Sequence, residues 1–241
     1  MAGPYCRGMA RTRDTRSPRL QPVVVPALVD GEVTELTAGA ARDGERFADI
    51  SLAGADLTDL VLDGCELTAV ELDGALLDGA RLVDSVLDRL TASSVRAARS
   101  TWRDVRLGGS RIGAAEFFDA EWLRVELSGS RIDYLNLSGA DLTDVRLADC
   151  TVGDLDLRGA KAKRVDVPGC RIGTLSLKDA ALDGVDLRGA EIDRIDGAAH
   201  LAGVVLDESQ LLRFAPLLAE ALGIVVEESA GEPVRNTRAR S

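Results

Sequence analysis

An apolar residue recurs at every fifth position over most of this chain. From Phe47 to Ile192 all thirty positions of that register are apolar, and only Ala92, Ala97 and Ala162 are as small as alanine. Hydrophobic residues form 46% of the sequence, so an unbroken run of this length is far outside chance. A period of five matches neither an α-helix nor a long β-strand. The register therefore marks an internal repeat.

A second column of positions, two residues before each repeat centre, contains no charged residue. From Ile50 to Ala190 its only polar members besides cysteine are four serines. The residue two positions after each centre is Gly or Asp in twenty of thirty cases, as at Gly54 and Asp59. Two inward positions separated by one outward residue describe a short strand, and Gly and Asp tolerate turn geometry. Each unit is therefore predicted to be a short edge followed by a corner.

Side-chain size in the second column predicts four edges, and hence twenty residues, per coil. Large residues recur every twenty positions, and small residues occupy the edges between them. This alternation of large and small side chains packs a narrow square core without voids. The large–small alternation shifts by one edge between Leu90 and Val95. We therefore expect an irregularity over 88–101, either a pentapeptide extruded as a loop or a coil that changes turn type or bends. One large series is Val105, Val125, Val145, Val165 and Val185.

Several units resemble the pentapeptide-repeat family, whose consensus is A(D/N)LxX. They include ADLTD at 55–59, GADLT at 139–143 and LRGAEI at 187–192. The resemblance covers about 145 residues and implies a right-handed quadrilateral parallel β-helix without enzymatic activity. The predicted fold class is thus all-β, a pentapeptide-repeat solenoid of about seven coils with a C-terminal α-helical cap.

The ends of the repeat define the predicted domains. The repeat register ends at Gly197, and the sequence that follows has helical periodicity, with Asp207 as N-cap and Gly223 at the stop. The N-terminus carries arginines without an apolar stretch, so we expect no secretory signal and a cytoplasmic location. The predicted segments are a disordered arm over 1–22, an N-terminal cap over 23–46, the β-helix over 47–197, the helical cap over 198–228 and a disordered tail over 229–241.

The predicted C-terminal helix has one apolar face, which is our candidate cap or dimer face. Two interpretations remain open: a lid on the last coil alone, or a lid that also joins two copies in a homodimer. In the quinolone-resistance branch of the family a C-terminal helix holds a dimer together, so the resemblance implies the second. Pro216 could split the helix in two. The face consists of Leu211, Phe214, Leu218 and Leu222.

Charge is distributed unevenly along the repeat, within a formal net charge of -11 for the chain. Residues 47–80 contain eight acids and no Lys or Arg, whereas residues 81–111 contain seven arginines and three acids. The acidic segment is either a solvated surface that prevents association or an interaction surface. The candidate acidic interaction surface comprises Asp49, Asp56, Asp59, Asp63, Glu66, Glu71, Asp73 and Asp78.

The sequence contains no arrangement of residues typical of catalysis. It has one histidine and no Gly-rich phosphate loop, so we predict no catalytic residue, cofactor or metal. Trp102 and Trp122 are interpreted as core rather than as a recognition patch. Cys150 and Cys170, expected one coil apart, are interpreted as packing residues rather than as a redox pair.

Two functional hypotheses follow. In the first, the chain is a non-catalytic scaffold for an unassigned protein partner, without direct contact with nucleic acid or membrane. In the second, which the family resemblance implies, an acidic rod mimics DNA and binds DNA gyrase or topoisomerase IV, protecting them from topoisomerase-targeting drugs. A net charge of -10 over residues 47–206 suits a basic DNA-binding saddle. The arginine-rich segment over residues 81–111 interrupts the uniform negative electrostatic field that a DNA mimic would need, and this counts against the second hypothesis.

Overall fold

The computed structural model describes residues 17–25 and 27–226, which form one long parallel β-solenoid. Strands that lie side by side are twenty residues apart over most of the length, as in the pairing of Trp102 with Trp122. Twenty strands, two short 3₁₀ helices (Val33–Glu35 and Ala198–His200) and one α-helix make up this described part. The strands are β1 (Val29–Asp30), β2 (Ala41–Asp43), β3 (Glu45–Ala48), β4 (Val61–Asp63), β5 (Glu66–Thr68), β6 (Ala75–Leu76), β7 (Arg81–Val83), β8 (Val86–Asp88), β9 (Thr91–Arg96), β10 (Thr101–Gly108), β11 (Arg111–Glu116), β12 (Glu121–Ser128), β13 (Arg131–Asn136), β14 (Asp141–Ala148), β15 (Thr151–Asp156), β16 (Lys161–Asp166), β17 (Arg171–Ser176), β18 (Ala181–Asp186), β19 (Glu191–Asp196) and β20 (Val204–Val205); the helix is α1 (Glu208–Ala221).

Two parallel sheets form the walls of the solenoid. The larger sheet has thirteen strands and runs in the order β1-β3-β5-β8-β10-β12-β14-β16-β18-β20, with β2, β4 and β7 beside this path. The smaller sheet has seven strands in the order β6-β9-β11-β13-β15-β17-β19. The predicted solenoid is confirmed, but it has about nine turns instead of seven. Additional rungs form outside 47–197, because Val29 pairs with Glu45 and Val204 pairs with Val185.

The corners explain why Gly and Asp recur in the sequence. The residue two positions after a repeat centre has a left-handed backbone at most corners, for example φ +67° at Gly54 and +58° at Asp59. Gly adopts this conformation without penalty, and Asp more readily than most residues. At many of these corners a backbone hydrogen bond spans three residues, as from the Leu60 N–H to the Leu57 carbonyl at 3.1 Å.

A second kind of corner uses a side chain from the next coil. The N–H groups of Leu90 and Ser110 donate to the hydroxyl oxygens of Ser110 and Ser130, at 3.0 and 3.1 Å. The Ser130 hydroxyl in turn donates to the Ser128 carbonyl at 3.0 Å. Cys150 continues this column and donates to the Ala148 carbonyl at 3.3 Å. Ser85, Ser110 and Ser130 of the second column are thus buried caps for backbone donors, a role that the repeat pattern alone did not assign. Ser100 instead donates to the Ala97 carbonyl at 2.7 Å.

Residues 88–101 keep the twenty-residue register, but one corner in this stretch has a different backbone conformation from the same corner in the coil before it. Thr91 pairs with Arg111, twenty residues ahead, and Val95 pairs with Ala75, twenty behind. No pentapeptide is extruded, so the loop alternative is wrong. The corner itself changes, because Gly74 has φ +68° whereas Ser94 lies within extended β9. The same corner stays inside a strand in every later coil, at Ala114, Tyr134, Asp154, Thr174 and Arg194.

The core is a single aliphatic column with one aromatic layer. Trp102 and Trp122 are 3% and 2% exposed, and their rings stack at 5.7 Å between centroids. Phe117 meets both indoles edge to face at 5.0 Å. The tryptophans therefore belong to the core and do not form a surface patch.

The C-terminal cap is one helix followed by a coil segment. Asp207 accepts the Gln210 N–H at 2.9 Å while Gln210 accepts the Asp207 N–H at 3.1 Å, which forms a capping box. Pro216 lies inside α1 and does not split it. The helix ends before Gly223, whose φ is +70°. Val204 and Val205 pair with β18, and residues 224–226 after the helix are coil.

The first described residues contact the solenoid through Arg19. The disordered arm expected over 1–22 and the tail expected over 229–241 fall largely outside the described residues. Residues 17–22 are placed, however, and the backbone N–H of Arg19 donates to Asp144 Oδ1 at 2.9 Å. The segment expected as an N-terminal cap carries β1 and β2 and already belongs to the coil stack.

Candidate interaction surfaces

The eight acids of the candidate acidic surface surround the rod instead of lining one face. In a coil of twenty residues, two side chains stack only if their numbers differ by twenty, and no two of these eight do. The seven arginines between Arg81 and Arg111 are likewise unstacked. The solenoid therefore carries an acidic ring followed by a basic ring. It does not carry a continuous acidic stripe over this region.

Contacts within the chain engage several carboxylates of the acidic ring. Asp78 accepts the Ala98 N–H at 3.0 Å and lies 2.9 Å from the Arg96 guanidinium, which belongs to the basic ring. Asp73 accepts the Ser93 N–H at 2.9 Å together with the Ser93 hydroxyl. The hydroxyl and N–H of Ser93 lower the pKa of Asp73. These carboxylates join neighbouring coils, which reduces the charge they present to a partner.

One corner of the rod carries an alternating ladder of opposite charges. Arg124 forms two hydrogen bonds to Asp104, and Arg164 forms two to Asp144, each pair one coil apart. All four residues have left-handed backbones, with φ from +52° to +57°. Asp144 is 5% exposed although it occupies a corner. The Arg164 guanidinium, with a smaller contribution from the Arg19 N–H, holds the pKa of Asp144 below its usual value despite burial.

The predicted cap or dimer face is divided in the structure. Phe214 is 5% exposed and Leu218 is partly buried, and both pack against the end of the core. Leu211 and Leu222 are 51% and 75% exposed and point away from it. Gln210, which the sequence did not single out, fills the end of the last coil and donates to the carbonyls of Leu187 and Ala190 at 2.7 and 2.9 Å.

Exposed apolar side chains gather around the C-terminal end of the solenoid. They come from the outer side of α1 and from the coil that follows it. Elsewhere, exposed large apolar residues in the described chain lie singly or near the first coil, such as Leu76 at 42%. A group of this kind is typical of a surface that meets another protein. Its members are Leu211, Leu212, Leu222, Ile224, Val225 and Val226.

The geometry provides no assembled group of metal ligands within the described residues. No cluster of three or more His, Cys, Asp or Glu side chains there could hold a metal ion. Cys150 and Cys170 lie one coil apart, each 1% exposed, with their thiols hydrogen-bonded to backbone carbonyls. Across residues 17–25 and 27–226, no helix has the length and apolar character needed to cross a membrane.

Comparison with known proteins identifies the repeat. Residues 46–87 match the family model for pentapeptide repeats, in eight copies. No curated protein matches the chain. Among solved structures, a trypsin-treated variant of QnrB1, a plasmid-mediated fluoroquinolone resistance protein, is 21% identical; the match covers 83% of this chain and 95% of that chain, with a TM-score of 0.41.

A second solved structure is HetL, a pentapeptide repeat protein involved in heterocyst differentiation regulation from the cyanobacterium Nostoc sp. strain PCC 7120. It is 20% identical, and the match covers 70% of this chain and 90% of that chain, with a TM-score of 0.29. At such identities and TM-scores, neither likeness carries an argument about the function of this chain.

Proposed function

This chain is a pentapeptide-repeat protein, and we propose that it works in the cytoplasm as a non-catalytic scaffold that holds a protein partner. The observation that carries the proposal is the exposed apolar group at the C-terminal end, formed by Leu211, Leu212, Leu222 and residues 224–226. Exposing such side chains to water is unfavourable, and burial against another protein removes that cost.

We further propose that a second copy of the chain covers this surface. The inner side of α1 already closes the last coil through Phe214 and Gln210. The outer side is therefore free to join two solenoids end to end. One side of the helix then closes the last coil, and the other side forms the dimer contact. An end-to-end pair leaves the side faces of both rods open to a further partner.

Sedimentation equilibrium of the full chain tests this assembly. We expect a dimer for the wild type and a monomer for the Leu212→Asp/Leu222→Asp variant, since the charges would be desolvated in the contact. Leu76→Asp is the control, because it places an aspartate on an exposed leucine of β6, six strands away from β19 at the C-terminal end. A monomeric wild type at micromolar concentration, or a Leu76→Asp variant that dissociates equally, would overturn the proposal.

The alternative is a DNA mimic that modulates DNA gyrase or topoisomerase IV and protects them from topoisomerase-targeting drugs. The segment 47–80, with eight acids and no base, favours it. The arrangement of these acids in a ring, next to a ring of arginines, supports the scaffold instead. A supercoiling assay with purified gyrase, with and without a fluoroquinolone, separates the two. We expect no inhibition and no protection at micromolar protein, and either effect would establish the alternative.

A further inference from the structure

The smaller sheet stops at β19, which has a neighbouring strand on one side only. Within the described residues β19 pairs with β17 and with no later strand. In earlier coils the repeat centre of this column donates its N–H to the coil that follows, Leu52 to the Glu71 carbonyl and Leu72 to the Thr91 carbonyl, each at 2.8 Å. Ile192 is the last centre of the same column, so its N–H faces an open edge. Such an edge is a template for pairing with another segment.

The C-terminal cap replaces the missing coil beside β19 but not along it. β20 pairs with β18 and so continues the larger sheet. Gln210 Nε2 donates to the Ala190 carbonyl at 2.9 Å, the same place at which the Glu191 N–H meets the Cys170 carbonyl one coil earlier. Helix α1 packs against the turn Ala198–His200, which follows β19. β19 is therefore the part of the last coil that the described chain leaves without a following rung.

Residues 224–226 form a short segment that suits such an edge. Its side chains, Ile224, Val225 and Val226, are β-branched and are 55%, 82% and 77% exposed. Ile224 donates its N–H to the Ala219 carbonyl at 2.8 Å and so closes the end of α1. The three residues are coil and pair with no described strand. One end of the rod thus holds both an open strand edge and an unpaired apolar segment, which the single chain does not bring together.

Charge decides which part of a second copy fits β19. The outward side chains of this strand are three acids and one arginine, so two β19 strands placed edge to edge would set like charges against each other. Residues 224–226 carry no charge and avoid that repulsion. They also belong to the exposed apolar group that we propose as the contact between two copies. The outward side chains of β19 are Glu191, Asp193, Arg194 and Asp196.

We propose that the two copies exchange this segment, so that residues 224–226 of each copy add a rung to β19 of the other. The Ile192 N–H then donates to a main-chain carbonyl of the exchanged segment, as in other cases of β-strand addition. Because main-chain hydrogen bonds are directional, the exchange also fixes how the two rods are oriented. The inference rests on the proposed end-to-end dimer. That dimer can nevertheless form through α1 alone, without any exchange.

Hydrogen exchange of the full chain tests the inference. The Ile192 amide is expected to be protected in the dimer and to exchange at least about tenfold faster in the monomeric Leu212→Asp/Leu222→Asp variant. The Ile172 amide is the internal control, because β17 has strands on both sides and should stay protected in both samples. An Ile192 amide that is equally slow in the monomer, or unprotected in a wild type that sediments as a dimer, would overturn the exchange alone. A monomeric wild type would overturn the dimer as well.

A pair of prolines separates strand pairing from apolar contact. In Val225→Pro/Val226→Pro both side chains stay apolar, but two consecutive N–H groups are lost. Neighbouring residues of a strand direct their N–H groups to opposite edges, so one lost donor faces β19 in either register. We expect the Ile192 amide to lose its protection and the dimer to bind about tenfold more weakly.

Val225→Thr/Val226→Thr is the matched control, since it keeps both N–H groups and the β-branched shape. At a concentration at which it is dimeric, it should keep the Ile192 amide protected. A proline variant with the protection and dimer affinity of the wild type would contradict the exchange, and so would equal loss of protection in both variants while both are dimeric.

Disulfide trapping locates the contact. Cys6→Ser/Asp193→Cys is mixed in turn with Cys6→Ser variants that carry one further cysteine, so that a new disulfide must join two copies. Neighbouring strands bring Cα atoms within the roughly 4.4–6.8 Å that a disulfide needs, and at least one pair is expected to cross-link. Asp133→Cys in place of Asp193→Cys is the control, because Asp133 is 65% exposed and lies three coils earlier in the same column. Equal yields from positions 193 and 133 would overturn the inference. The further substitutions are Ile224→Cys, Val225→Cys and Val226→Cys.

Discussion

Arg164 donates two hydrogen bonds to Asp144, one coil earlier on the same corner, from Nε at 2.5 Å and from Nη2 at 2.7 Å. Both side chains are largely buried, at 14% and 7% exposure. Because the carboxylate also accepts the Arg19 N–H, this pair joins two coils and the N-terminal segment at Arg19 in one contact. Such a pair is worth more than an exposed ion pair, whose long side chains are ordered at little net gain.

We expect Asp144→Asn to lower the free energy of unfolding by about 1.5–3 kcal/mol at pH 7. The pKa of Asp144 is lowered in the folded state, whereas an unfolded Asp titrates near about 3.9. Its contribution is therefore fully present above the unfolded pKa and is lost as the pH falls through the lower, folded pKa. Urea unfolding of wild type and variant between pH 7 and about pH 2 should show the two converging in acid.

Asp133→Asn is the control for this prediction. Asp133 also pairs with an arginine, Arg131, at 3.1 Å, but its carboxylate is 65% exposed. Its loss should cost no more than about 1 kcal/mol. Equal losses at the two sites, or a difference for Asp144→Asn that persists unchanged in acid, would contradict the account of the corner pair.

Ser130→Ala should destabilise the solenoid by about 1–3 kcal/mol, because the buried N–H of Ser110 loses its acceptor. Ser130→Cys should recover part of that loss, since Cys150 occupies the next position of the same column in the native chain. Ser128→Ala, two residues away on the outward side, serves as the control and should change stability by less than about 0.5 kcal/mol. Chemical denaturation of the three variants makes the comparison. A neutral Ser130→Ala would refute the capping role.

The coil of twenty was predictable from the sequence because every coil repeats the same constraint. A polar residue at an inward position, or an insertion that shifted the register, would place a polar side chain in the core. The same requirement therefore applies at all thirty repeat centres. The ring of acids follows from the same period, since residues such as Asp49 and Asp78 do not differ by a multiple of twenty. The backbone conformation of the corner at Ser94 could not be predicted from the sequence. An extended corner and a left-handed corner both leave the next residue facing inward, so both fit the same pattern of apolar residues.

The two ends were less predictable because their partners are not periodic. Helical periodicity groups Leu211 with Phe214 and Leu218, but it does not tell which part of that face meets the last coil. The docking of Arg19 uses a backbone donor, which leaves no mark on the sequence, and an acceptor 125 residues away. Only the apolar run Val23–Val25 gave a signal, and it is too short to specify a surface.

Tryptophan fluorescence should show two buried indoles. Trp102 and Trp122 are the only tryptophans, and both lie beneath the wall of the solenoid. Iodide, which does not enter protein interiors, should therefore quench neither in the native protein and both after unfolding in urea. Quenching of half or more of the native signal would mean that at least one indole reaches the surface and would revive the recognition-patch interpretation.

The described cysteines should be unreactive in the native protein. Cys65, Cys150 and Cys170 are each at most 1% exposed. Burial raises the pKa of the Cys65 thiol, and a hydrogen bond to Cys150 together with burial raises that of Cys170. Because the thiolate is the reactive form, both effects suppress attack on a disulfide reagent at Cys65 and Cys170. The hydrogen bond with Cys170 lowers the pKa of Cys150 to about 7, so the protection of Cys150 rests on its burial.

A Cys6→Ser variant isolates these three thiols, since Cys6 lies outside the described residues. With this variant, a coloured thiol-exchange reagent should release no signal in buffer and three equivalents in denaturant. Treatment with the thiol oxidant diamide should leave all three thiols free, because all three are buried and the Cys150 and Cys170 thiols donate to the Ala148 and Leu147 carbonyls. Rapid loss of two thiols, mapped to Cys150 and Cys170, would instead show that stacked cysteines one coil apart can close a disulfide. They would then be a redox pair instead of corner caps.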